Sequence, residues 1–357
     1  MITVAPPRGI VGPVGLELRP IAAYAQTVRP HLPEIAFEPA PSRLLWLPVH
    51  ASVIATLAWA LGSGRVPAAL WPVASLAIGI SMALVAFLGH EILHGAVVRG
   101  RALIRLLGWL CLLPFAVSPT LWTNWHNRVH HHHAMQPGVD PDLYPTLAEY
   151  QRDPAMRMMA DYFGLGGRRW RSLLSLVIGF TGQSQQMLWE GKKLGILTEA
   201  QQRRAFVELA LAVAFWIVVA RLVGGVAIVF VIAIPHVVAN IIVMMFILTN
   251  HSLSALTPDV NDPLVNSLSV TLPRPLEWLS LDFGSHVEHH LFPSMSARHA
   301  PRVRDTLREL YPHRYQSMPM TRAVGALYRS GRVYLDETTL VDPRTGITHP
   351  ALVPREP

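Results

Sequence analysis

Apolar and polar positions fall in long blocks along this chain, not in short periods. Four apolar runs, residues 44–61, 68–89, 206–220 and 226–250, approach the about 20 residues an α-helix needs to cross a hydrocarbon core about 30 Å thick. The third run is short by itself and gains its length from the flanks 202–205 and 221–223. Helix is the expected form because in lipid each backbone N–H and C=O must be satisfied within the segment. A fifth run, 102–117, is interrupted by Arg105, Gly108 and Pro114 and therefore predicts a re-entrant or interfacial hairpin. Residues 173–180 are too few to cross. The pattern predicts an all-α integral membrane protein with four transmembrane helices, one such hairpin and a helical cap. Val303, Leu307 and Leu310, at helical spacing, predict a further helix packed on that cap.

Composition agrees with the pattern. Of 357 residues 51% are hydrophobic and only 15% charged, and the mean hydropathy of +0.32 is too high for an ordinary soluble domain. The short connections 62–67 and 221–225 hold Arg65 and Arg221 alone, while the rest of the thirty Lys and Arg lie on the other side. By the positive-inside rule both termini are cytoplasmic. A net charge of +7 then reads as a basic face toward anionic lipid. No basic and aromatic interleaving suggests a nucleic-acid partner. The single cysteine, Cys111, excludes an intramolecular disulfide and any cysteine-held cluster. Residues 1–41 are proline-rich and lack the charged leader, apolar core and cleavage site of a secretory signal. The expected division is a cytoplasmic arm (1–43), a membrane domain (44–311) and a cytoplasmic tail (312–357).

Three histidine clusters sit at the cytoplasmic ends of the apolar blocks: HEILH at 90–94, HNRVHHHH at 126–133 and HVEHH at 286–290. Imidazole is the commonest neutral protein ligand for a transition metal. On an α-helix, residues four apart share a face, so His90 with His94, His126 with His130, and His286 with His290 form pairs. His289 is expected to join the last pair. His131 falls further round, which suits a second metal or a locally distorted helix. Eight candidates result: His90, His94, His126, His130, His131, His286, His289 and His290; His251, ending the fourth span, is a ninth. So many imidazoles exceed the needs of one ion and suit two. His132 and His133 are assigned surface or supporting roles, and the lone His50 and His236 ordinary structural ones.

Two rival classes compete with this reading. HEILH satisfies the H-E-x-x-H pattern of zinc metalloproteases, in which Glu91 would be the general base. An intramembrane protease would need a further acidic ligand; Glu208 alone lies within a span, and the other two clusters would have no task. A metal transporter would carry its ligands near mid-bilayer, not at one face.

The ordered trio H-x-x-x-H, H-x-x-x-H-H and H-x-x-H-H, with apolar spans between the second and third, resembles the membrane fatty acid desaturase family of histidine-box di-iron enzymes. WHNRVHH followed by GVDPDLYP, TNHS after the fourth span, and HVEHHLFPSM add to the resemblance, which extends over 44–311. The four consecutive histidines depart from the usual second box and leave its register open. The resemblance implies that His90, His94, His126, His130, His131, His286, His289 and His290 bind two irons, with His251 as a further ligand. It implies O2-dependent removal of hydrogen from an unactivated acyl methylene, giving a double bond; related members hydroxylate, form alkynes or ketolate. Asn250 stands as the alternative to His251, acting through a water, and Glu91, Asp140, Asp142 and Glu288 would orient imidazoles by hydrogen bonds. The chain has no haem segment or dinucleotide fingerprint, so electrons would come from a ferredoxin-, rubredoxin- or cytochrome-type donor. Arg168, Arg169, Arg171, Lys192 and Lys193 offer a basic dock for such a donor or for substrate phosphate. The substrate would be an acyl-lipid, acyl-CoA or acyl carrier protein, and the expected location a bacterial inner membrane.

Overall fold

In the computed structural model, four helices are long and apolar enough to cross a membrane: Pro41–Gly62, Ala68–Leu93, Glu199–Val223 and Val229–His251. The structure describes residues 10, 11 and 15–355; the beginning of the expected N-terminal arm and the last two residues of the tail lie outside the described residues. The second span is the hub. Its apolar window is 72% buried, against 11% for the first span and 6% for the third, so those two present most of their surface to lipid. Gly79 permits close contact between the second and fourth spans: a Cβ there would meet Val238 Cβ at 2.6 Å and the Pro235 carbonyl at 2.8 Å.

Local chemistry explains how the spans start and bend. Thr198 and Gln201 cap the third span reciprocally, side chain to backbone in both directions. The fourth opens with a π-helical turn, Val229–Ala233, immediately before Pro235. There the Ile234 N–H reaches back five residues to Val229 O, and Pro235, next in line for Phe230 O, has no N–H to give. The Ser75 hydroxyl of the second span donates to Phe230 O at 2.6 Å instead.

The interrupted fifth run folds as two helical limbs, Arg101–Phe115 and Pro119–His133, bent by 106°. Glu208, within the third span, secures the bend by accepting from the Thr120 N–H at 3.1 Å, the Thr120 hydroxyl at 2.8 Å and the Ser118 hydroxyl. Leu174–Glu190 forms a helix beside the fourth span that the short 173–180 run only partly foretold.

The residues around the membrane core are folded onto it. In the arm, helix Ile21–Val28 buries Tyr24 and Val28 against Val287 and Leu291 of the third cluster. Buried Asp262 accepts from the Arg19 N–H, the Tyr24 hydroxyl and Arg314, which joins the arm to the tail. The expected helix behind the third cluster is Ala300–Leu310, burying Val303 and Leu307. The tail adds helix Met320–Arg329 and an antiparallel sheet of Val333–Asp336, Thr339–Val341 and Thr348–Pro350. These few strands are departures from an otherwise helical chain, and their short runs carried no clear period-2 signal.

Candidate metal centre

Each histidine cluster is delivered by the end of an apolar helix. The second span ends at Leu93 and presents His90 in its last turn, with His94 just beyond. The second limb of the bent hairpin carries HNRVHHHH, the fourth span ends on His251, and helix His286–Leu291 carries HVEHH. Before that last helix, Leu281 and Asp282 adopt positive φ of 59° and 57°. Gly284 follows, where a Cβ would stand 2.4 Å from Val270 O, so the loop lies directly on strand Ser269–Thr271.

The imidazoles converge in two groups. His90, His94, His126, His131 and His289 form one, and His130, His251, His286 and His290 the other; within each group the ligand nitrogens lie within 4.8 Å of one another. All nine candidates are thereby brought together. Two of the expected pairings change. His126 joins the group of His131 and keeps His130 only in a third, smaller cluster with Asp142 that lies between the two, because Thr123–His130 is π-helical and the His131 N–H bonds back to His126 O, five residues away. An α-helix would set those two roughly 140° apart; the wider turn places them on one face and sends His130 to the opposite group. His289 leaves His286 and His290 for the first group. The local distortion anticipated for His131 is this π-helix.

The donor set suits two cations. His251 Nδ1 faces Asn266 O at 2.9 Å, an acceptor only, so it carries the proton and its Nε2 lone pair is free. That Nε2 stands 2.7 Å from His286 Nε2 and 3.1 Å from His290 Nε2. In the other group, His126 Nε2 lies 3.2 Å from the Nε2 of both His90 and His131, and His289 Nε2 lies 3.1 Å from that of His131. Lone pairs this close need shared positive charge. His94 Nε2 is buried without a hydrogen-bond partner in the described residues. Burial, and then the neighbouring histidines, holds His286, His289 and His290 well below the usual imidazole range, leaving them neutral. Neutral imidazoles are the ligand form.

The supporting groups divide. Asp140 accepts from His130 Nδ1 at 3.0 Å, which turns Nε2 toward its group, and is itself held by the Met135 N–H at 2.8 Å. Asp142 stands 3.4 Å from the same Nδ1 and accepts from Trp125 and Gln183. Glu91 and Glu288 do not serve imidazoles. Glu91 faces Arg43, and Glu288 takes hydrogen bonds from Ser269, Arg304 and Tyr315. Both carboxylates are taken up by these partners and not by ring nitrogens. Asn250, next to His251, has its Oδ1 buried without a hydrogen-bond partner among the described residues. His132 is exposed on Asn127 O, His133 meets Gln136, and His50 and His236 lie elsewhere, on Ser81 and Ile232 O. Sequence reasoning missed Asn266, which fixes His251, and Arg43, which read as the end of the arm.

Besides a small space of ≈ 20 Å³ against His90, His286 and His289, two larger spaces reach the histidines among the described residues. A cavity of ≈ 90 Å³, walled by Phe87, Trp122, Phe180, Val243 and Met244, touches His90, His126, His130, His251 and His286. A cleft of ≈ 860 Å³, bordered by Gln136, Asp259, Asn261 and the arm's Ile21, touches His94, His131 and His290. The protease reading fails on this geometry, since the Glu91 carboxylate is locked in an ion pair away from the histidines. The transporter reading fails because both groups lie at one end of the spans. No curated protein matches the chain. The family model described as fatty acid desaturase matches residues 66–322, from the second span through the third cluster. Over that range the three clusters and the helices that deliver them are accounted for together, and the chain belongs to the fatty acid desaturase family.

Proposed function

We propose that this protein is an O2-dependent di-iron acyl desaturase, with His90, His94, His126, His131 and His289 on one iron and His130, His251, His286 and His290 on the other. The observation that carries this reading is the division of nine imidazoles into two groups of Nε2 atoms facing inward. Two irons held there would supply activation of dioxygen and the oxidative removal of two hydrogens from an acyl chain.

The chain's own share is positional. Phe87, Phe180, Val243 and Met244 line a largely apolar space in which an acyl segment can lie beside His90, His126 and His251. The carbons that reach the histidines are then selected by where that space ends. Asp140, on His130 Nδ1, and the Asn266 carbonyl, on His251 Nδ1, keep two ring orientations fixed through the reaction. The polar cleft beside His94, His131 and His290 gives a separate donor protein an approach from solvent. A ferredoxin-, rubredoxin- or cytochrome-type donor fits the absence of a haem or dinucleotide motif in the chain. The positive-inside distribution supports a cytoplasmic centre, with both termini on that side, in a bacterial inner membrane.

The test is expression in a host without desaturases, followed by mass spectrometry of total lipids. New mono-unsaturated acyl chains are the expected result. Hydroxylated or keto products alone would move the protein to a sister chemistry of the same centre.

A further inference from the structure

Arg43 is buried, its side chain 9% exposed, at the start of the first span. It lies outside the matched range 66–322 and outside all three histidine clusters. A guanidinium taken from water is costly unless its partners are fixed around it. Here Nε stands 3.3 Å from Glu91 Oε2 and 3.5 Å from the Ser296 hydroxyl, while Nη2 reaches Leu281 O at 3.4 Å and Asp282 Oδ2 at 3.9 Å. Glu91 Oε1 in turn accepts from the Ala297 N–H at 2.6 Å and the Ser296 hydroxyl at 3.1 Å.

These partners belong to three places. Glu91 follows His90. Leu281 and Asp282 are the two left-handed residues of the loop that launches His286–Leu291. Ser296 and Ala297 begin the turn behind that helix. One guanidinium therefore joins the first cluster to both sides of the third, and the third divides its histidines between the two groups. L-residues at positive φ are held only by surrounding contacts, and the Arg43 contact with Leu281 O is one of these. Ring contacts continue the line: Phe283, from the same loop, stacks on Phe87 at 4.1 Å and meets His90 edge-on at 5.0 Å.

We propose that Arg43 is a positioning residue for the metal centre, setting the first histidine cluster against the third through Glu91 and the 281–282 loop. It touches neither iron nor substrate. The proposal rests on the di-iron reading above, and its test is read on metal retention. Two full-length variants are compared with wild type: Arg43→Lys, and the double variant Arg43→Met with Glu91→Gln. The second removes the Arg43 and Glu91 charges together, and Asp282 keeps Arg274 at 3.2 Å, so no buried carboxylate is stranded and the fold is expected to be kept.

Iron-loaded proteins in mild detergent are exposed anaerobically to a ferrous chelator. Helical content and elution volume are recorded alongside. The double variant is expected to keep wild-type helicity and elution but to release iron about 10- to 100-fold faster, with a broadened Mössbauer spectrum. Arg43→Lys should fall between, because an ammonium can pair with Glu91 yet lacks the fork to reach Leu281 O as well. Wild-type release rates in the double variant would overturn the proposal. So would loss of helicity in parallel with iron, which would make Arg43 a general structural residue. Wild-type protein that retains no iron would overturn the di-iron reading and this proposal with it.

Discussion

A histidine four residues from another is a common accident; three such clusters ending on one side of four spans are not, and this is why nine ligand candidates could be read from the chain. Their chemistry is local, so spacing reveals it. Arg43 and Asn266 gave no such signal, because Arg43 acts through partners on segments distant in sequence, Glu91, Leu281 and Ser296, and Asn266 through its backbone carbonyl, fifteen residues from His251. Replacements at residue scale should separate these roles. His94→Ala, His131→Ala and His289→Ala each remove a member of the first group, and each is expected to abolish unsaturated-lipid yield per membrane-inserted protein. Glu91→Gln, which changes a group tied to Arg43 and not to an imidazole, should retain product at about a tenth to a hundredth of wild type. His132→Ala, exposed on Asn127 O, should stay near wild type. Full activity in His289→Ala would sink the site assignment.

At the scale of elements, spans were legible and helix type was not. Apolar block length fixed the four crossings to within a few residues, since the bilayer imposes it. Of the two π-helical segments, Thr123–His130 was foreseen only as a local distortion or a second metal at His131, and Val229–Ala233 not at all, because pattern reading assumes an α repeat. The first needs knowledge of which nitrogens meet. The second is deducible afterwards from Pro235, but only once Ser75 is seen against Phe230 O. Ser75→Ala leaves that carbonyl without a donor in an apolar setting. The expected cost is about 1–3 kcal/mol, read as a lower thermal midpoint in detergent, with Ser75→Thr recovering most of it. An unchanged midpoint for Ser75→Ala would mean that the carbonyl finds another donor.

For the whole molecule, the sequence placed the clusters together only by counting spans, an even number returning the chain to the same side. Reporters carry that argument to experiment: one fused after Pro357 and one inserted near Gln151 should read cytoplasmic, and one at Ser63 external. Opposite signals from the first two would break the four-span arrangement. What could not be read was how the flanks fold back. Asp262 binds Arg19 and Tyr24, 243 and 238 positions away, and Arg314, 52 positions away, contacts that leave no local trace. A fragment trimmed to the matched range would strip Arg19, Tyr24 and Arg43 from their buried carboxylates, so it should be recovered from membranes in much lower yield than the full chain.

The apolar cavity and the polar cleft share no lining residue, though both end on the same layer of imidazoles. On the proposed reading, an acyl chain in the cavity and a donor protein at the cleft have separate approaches to the histidines, so in kinetic language the two are expected not to compete for one place.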